Sequence, residues 1–151
     1  VAVVDENEVE EAPAHLTPAE AAALPLTGLT GWRALISKSG NAEAGRNILI
    51  TGIGGGVALN VLQFAVGLGA NAYVTSGSQD KIDKAKSMGA KGGVSYKADG
   101  WEKELKKQLP KDRSYLDAII DGAGGNVISK AAKLLKVSNS PNFRFLNQAL
   151  M

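Results

Sequence analysis

Apolar positions along this chain alternate between two periods. Asn47-Ile48-Leu49-Ile50-Thr51 is a short, nearly continuous apolar run that leads into glycine-rich sequence. Such a run suits a strand buried on both faces of a parallel sheet. Val57, Val61, Phe64, Ala65 and Leu68 then recur on one face of a helix, and Gly69 punctuates its end. Residues 71–76 contain Tyr73, Val74 and Thr75, a β-favouring run. Strand, glycine turn, helix and strand in that order make a βαβ unit.

The alternation continues downstream. Residues 80–88 form a helix with Ile82, Ala85 and Met88 on one side, ended by Gly89. Residues 93–96 are a short strand. Trp101, Leu105 and Leu109 repeat at intervals of four and mark an amphipathic helix up to Pro110. Residues 115–121 read as a strand, and Val127, Ile128, Ala131, Leu134 and Leu135 as a further helix. Strands alternating with helices predict an α/β fold, a doubly wound parallel sheet of Rossmann type with right-handed crossovers.

Upstream, residues 1–4 read as the end of a strand and 5–16 as a connector, since Pro13 disfavours regular structure. A helix starts at Thr17. That residue can N-cap, Pro18 suits the first helical position, and Glu20 completes a capping box. Pro25 is expected to interrupt it, with a second helix from Gly28 to about Ser37.

Charge narrows the partners a little. Residues 1–14 hold Asp5, Glu6, Glu8, Glu10 and Glu11 and no basic side chain, whereas 81–113 hold ten Lys or Arg against five acids. The basic stretch is either a phosphate-binding patch or the solvated faces of amphipathic helices. It has no recognisable nucleic-acid motif, so nucleic acid is not expected as a partner. No stretch approaches the roughly 18 apolar residues that span a bilayer, so no membrane partner is expected either. The chain has no Cys and one His, His15. Disulfides are excluded, which suits the cytoplasm or a mitochondrion. Zinc wants clustered Cys or His, so no metal site is expected.

The glycine turn carries the chemistry. A diphosphate needs several donors in a small space, and the N–H groups and dipole of a helix N-terminus supply them. Gly52, Gly54, Gly55 and Gly56, followed by Val57, lie between strand and helix, where that logic places them. The strict G-x-G-x-x-G spacing is not met: Gly52 and Gly54 lead to Val57 at the third position, and Gly54 and Gly56 lead to Leu59. A tight strand-to-helix turn also uses glycines, so spacing alone leaves both readings open.

Thr51-Gly52-Ile53-Gly54-Gly55-Gly56-Val57-Ala58, with Leu62-Gln63-Phe64-Ala65 after it, resembles the cofactor loop of the medium-chain dehydrogenase/reductases. The likeness is to their quinone oxidoreductase-like and zinc-type alcohol dehydrogenase-like branch. The run from Ala21 through Leu24-Pro25-Leu26-Thr27-Gly28 to Trp32 is similar to the segment joining that family's two domains. Lys81, Met88-Gly89-Ala90 and Asp117-Ala118-Ile119-Ile120-Asp121 also follow its pattern. The resemblance covers about residues 1–137. It implies that 1–16 are the end of a catalytic domain and a connector, that 17–137 are a dinucleotide-binding domain, and that 138–151 are a divergent tail. The chain then reads as a fragment, its sheet incomplete on the C-terminal side and its isolated form without turnover. The strand at 116–121 is expected to be an exposed edge through which two copies could form a homodimer.

NAD-binding folds place Asp or Glu about 20 residues beyond the glycines, on the ribose hydroxyls. Counting from Gly55 reaches Thr75 and Ser76. Ser76, Gly77 and Ser78 follow, with Lys81 one helical turn on, and Asp80 is expected to point outward. Hydroxyls and a cation without a carboxylate favour NADP(H) over NAD(H). The resemblance implies that Ser76, Ser78, Lys81 and Tyr96 line an adenosine phosphate pocket and that Thr30 lies near the nicotinamide. From the residues alone, Lys81 also reads as a solvated helix lysine, Tyr96 as a packed strand tyrosine, and Thr30 as a residue bonded within its own helix. Gly122, with Gly124 and Gly125, either faces the ligand across the switch point or makes a plain turn. Asp121 is expected to order that turn, the alternative being acid–base work shared with Asp117. The reading is an NADP(H)-dependent oxidoreductase moving hydride to or from a carbonyl, quinone or enone, a small-molecule substrate. Its alternative is a non-catalytic nucleotide-binding or regulatory fragment.

Overall fold

The computed structural model describes residues 3–136. Four parallel strands form one sheet: β1 (Asn47–Ile50), β2 (Asn71–Ser76), β3 (Gly92–Ser95) and β4 (Ala118–Ile120), in the order β3-β2-β1-β4. In β1 every residue is buried, as its unbroken apolar run demands. Its side chains alternate between two cores. Ile48 and Ile50 pack with Val61, Leu62 and Ala65 of α2 (Gly56–Gly67) and with Ile82 and Ala85 of α3 (Gln79–Ser87). Leu49 joins Trp101 and Leu105 of α4 (Trp101–Gln108) and Val127 and Ala131 of α5 (Val127–Ala131) on the other face. Helices on both faces make the sheet doubly wound, as the sequence pattern implies.

One helix replaces the two expected upstream. It is α1 (Pro18–Trp32), and it runs through Pro25 without a break. The capping box is present: Thr17 Oγ1 accepts from the Glu20 N–H at 3.3 Å, and the Glu20 carboxylate accepts from the Thr17 N–H at 2.9 Å. Pro25 removes one donor from the ladder, but the helix beyond it packs along α2. A Cβ at Gly31 would lie 3.2 Å from Val61 Cγ2, and one at Gly56 would lie 2.8 Å from Thr27 Cγ2. Such close packing, more than propensity, sustains a helix. The chain continues as a π-helical segment, Arg33–Lys38, and the Trp32 ring meets Phe64 edge-on at 5.6 Å.

Two further expectations are corrected. Val3 and Val4 are exposed and lie outside any strand; Val1 and Ala2 fall outside the described residues. The last strand spans 118–120 rather than 115–121. Leu116 is diverted from it: its N–H donates to Leu134 O at 2.7 Å, and its carbonyl accepts from the Lys136 N–H at 2.9 Å. The expected edge is therefore covered at Leu116, while Ala118–Ile120 pairs with β1 alone among the described strands. The expected tail, 138–151, lies outside the described residues.

Candidate functional site

The C-terminal ends of β1, β2 and β3 open onto one cleft of about 440 Å³. Ligands of open α/β sheets bind at such strand ends. Its floor is the turn from β1 into α2, Gly52 to Gly55. Backbone pairing fixes that turn: the Ile53 N–H donates to Thr75 O at 2.9 Å, and the Gly52 N–H to Thr75 Oγ1 at 3.4 Å. The Ile53 side chain, 3% exposed, anchors it in the core. A second wall comprises Ser76, Gly77 and Ser78 after β2, with Lys81 on α3. Tyr96 and Lys97, beyond β3, make the third.

The glycines are glycine for different reasons. Gly54 has φ +114°, and a Cβ there would lie 2.8 Å from Lys81 Cδ, so the Lys81 stem crosses it. At Gly52, φ +64°, a Cβ would lie 3.0 Å from the Ala123 Cβ. Gly56 admits Thr27. Gly55 differs: its φ of −80° and ψ of 150° suit any residue. A Cβ there would meet nothing closer than Gly52 O, at 3.7 Å. The protein itself has room for a side chain at Gly55, on the cleft wall. Gly55 also stands at the N-cap of α2, which has no side-chain cap. The N–H groups of Gly56, Val57 and Ala58 in the first turn have no acceptor within the helix. Val57 itself is half-buried and packs on the core below.

The cleft is cationic. No Asp or Glu bounds it, and neither Lys81 nor Lys97 belongs to an ion pair among the described residues. Asp80 is exposed and off the cleft. Ser76, 4% exposed, accepts from the Ser78 N–H at 3.2 Å and holds that turn.

Of the residues singled out in the sequence, Gly52, Gly54, Gly55, Ser76, Ser78, Lys81 and Tyr96 bound the cleft together. Gly56 and Val57 form the first turn of α2. Thr30 does not bound the cleft; its Oγ1 donates to Leu26 O at 2.6 Å within α1. Gly122 lies in the neighbouring loop, where its N–H donates to Thr51 Oγ1 at 3.2 Å. Asp121 orders that loop, accepting from Thr51 Oγ1 at 2.5 Å and from the Gly124 N–H at 3.2 Å. Ile53, Gly77 and Lys97 also bound the cleft and were not singled out. The signal for Lys97 was its place directly after Tyr96.

Asp117 lies at the opposite end of its strand. It accepts from Arg113 Nη2 at 2.6 Å, Arg46 Nη1 at 3.3 Å and the Asn47 N–H at 2.8 Å. Burial works to raise its carboxyl, but these donors outweigh it and hold it below the usual carboxylate range. This is a structural clasp, too far down the strand to share a proton with Asp121. Among the described residues no group of three or more His, Cys, Asp or Glu could hold a metal ion. No helix of the described residues is long and apolar enough to cross a membrane.

The family model for zinc-binding dehydrogenases matches residues 56–138. The zinc-type alcohol dehydrogenase-like protein YogA of Leptosphaeria maculans is 57% identical over 135 residues, covering 88% of this chain and 38% of its own length. The mitochondrial NAD(P)H oxidoreductase RTN4IP1 of Bos taurus is 36% identical over 138 residues, covering 89% of this chain and 33% of its own length. A crystal structure of an NAD-dependent alcohol dehydrogenase superposes with a TM-score of 0.80 at 32% identity, covering 87% of this chain and 38% of the other. The chain thus spans about a third to two fifths of the length of these relatives. With sequence and fold both shared over most of its residues, it belongs to the zinc-binding dehydrogenases, a medium-chain dehydrogenase/reductase family of oxidoreductases.

Proposed function

We propose that this chain supplies the dinucleotide-binding part of an NADP(H)-dependent oxidoreductase that moves hydride to or from a carbonyl, quinone or enone. The observation that carries the reading is Gly55. Neither its backbone angles nor its protein neighbours require glycine, yet it sits on the cleft wall at an uncapped helix start. A ligand that approaches the backbone closely accounts for it. The N–H groups of Gly56 and Val57 suit a pyrophosphate. Ser76 stands at the end of β2, where an NAD-binding fold would place an acid. Ser78, Lys81 and Tyr96 offer donors and a cation to a 2′-phosphate instead.

The nicotinamide, when bound, is the group that gives or takes the hydride. The task of these residues is to hold and orient it. The family's name implies zinc, but this chain has no Cys and a single, exposed His15, so its donors do not fit that metal.

Gly55→Val tests the reading. The change costs the helix cap about 1 kcal/mol, which leaves the fold standing. NADPH binding, followed by its fluorescence, should weaken at least about tenfold, while the circular dichroism spectrum stays that of the parent. Undiminished binding would leave the glycine turn a structural device only.

A further inference from the structure

Lys97 shares a wall of the cleft with Tyr96, and no motif pointed to it. The chain leaves β3 through a tight turn: the Tyr96 N–H donates to Ser76 O at 3.2 Å, and the Ala98 N–H to Ser95 O at 3.1 Å. Ser95 Oγ accepts from the Lys97 N–H at 3.4 Å. The turn folds Tyr96 and Lys97 back over the end of β2. There they cross Gly77, where a Cβ would stand 2.7 Å from the Tyr96 hydroxyl and 2.9 Å from Lys97 Cε. The Gly77 backbone is outside the left-handed region, so conformation does not call for glycine there; a Cβ would meet the far ends of the two crossing side chains. Lys97 has no carboxylate partner among the described residues. Its ammonium is thus carried over the strand end by a stem that a side chain at Gly77 would push aside.

We infer that Lys97 is a second phosphate-binding cation of this cleft, set on a different wall from Lys81. The inference rests on the dinucleotide reading of the cleft. A phosphate monoester carries a charge between about −1.5 and −2 near neutral pH. Lys81 answers about half of it. A second ammonium, from the turn after β3, matches the rest and is of use only to a ligand that carries the extra phosphate. Lys97 is in this sense a specificity residue.

The probes are 2′,5′-ADP, which carries the ribose phosphate, 5′-AMP, which lacks it, and inorganic phosphate, all titrated by calorimetry. Lys97→Gln should weaken 2′,5′-ADP about tenfold and 5′-AMP by less than about twofold, the scale of one charge-assisted hydrogen bond. Lys97→Arg should restore most of the loss. Lys103→Gln removes an equal charge from the exposed face of α4 and should change nothing. Inorganic phosphate as tight as 2′,5′-ADP would overturn the assignment in favour of a general anion site. A Lys97→Gln protein that binds 2′,5′-ADP like the parent would also overturn it. In that case a parent preference for 2′,5′-ADP over 5′-AMP would keep the dinucleotide reading standing. A parent without that preference would bring down both.

Discussion

The side-chain amide of Gln108 holds both backbone groups of Gly93: Oε1 accepts from its N–H at 2.9 Å, and Nε2 donates to its carbonyl at 3.3 Å. Among the described residues β3 is the last strand on its side of the sheet, so Gln108 takes the place of a further strand there. An open strand edge invites pairing with another chain, and this amide blocks it at its midpoint. Gln108→Ala should destabilise the protein by about 1–2 kcal/mol, the cost of a part-buried donor and acceptor left unmade. It should also raise self-association, read by sedimentation velocity. A variant with the parent's melting temperature and sedimentation coefficient would show the amide to be idle.

Among the described residues the opposite edge is less protected: Ala118–Ile120 pairs with β1 alone, and only Leu116 finds a partner beyond it. Sedimentation equilibrium should show a dimer that grows with concentration and competes with binding of short β-forming peptides. A strictly monomeric chain across the micromolar range would count against an open edge at β4.

Asp117 gives the protein an acid-sensitive clasp. Its side chain is 1% exposed and is held by Arg113, Arg46 and the Asn47 N–H. The folded carboxyl is held below its ordinary value, so its stabilisation is complete above about pH 4. That stabilisation is lost as pH falls through the folded value. Asp117→Asn should cost about 2 kcal/mol at neutral pH and should flatten the decline below about pH 4. Parallel urea titrations of parent and variant measure both effects; parallel slopes in acid would refute the assignment.

Much of this was legible in the sequence, and the gaps have physical causes. β1, β2 and the helices α2 to α4 announce themselves because each buries a regular pattern of apolar residues, continuous in β1 and periodic in the helices. Ser76, Ser78 and Lys81 could be placed by counting from the glycines, since a βαβ unit fixes the distance between strand ends. Pro25 reads as a break because propensity is local, whereas the contacts that carry α1 past it, Gly31 on Val61 and Thr27 on Gly56, are tertiary. Residues 115–117 look like strand and are not, because Leu116 pairs outward with residues 134–136, a choice no local pattern records. Lys97 and Gln108 looked like ordinary polar surface residues. Their roles depend on what lies beneath them, a bare glycine backbone in each case.

Lys81 is the cation whose stem lies across Gly54. Lys81→Ala should leave the melting temperature within a few degrees of the parent's, because the side chain is exposed and carries no ion pair among the described residues. NADPH affinity should fall about tenfold and NADH affinity by less than about twofold. Equal losses for the two would place Lys81 on the part of the dinucleotide they share.

Isothermal titration of the unmodified chain with NADPH and with NADH, side by side, goes most directly to the central claim. The cationic cleft at the ends of β1, β2 and β3, without an acid at Ser76, predicts saturable binding of both with NADPH at least about tenfold tighter. It also predicts that this margin shrinks as salt is raised. Equal affinities, or a preference for NADH, would contradict it.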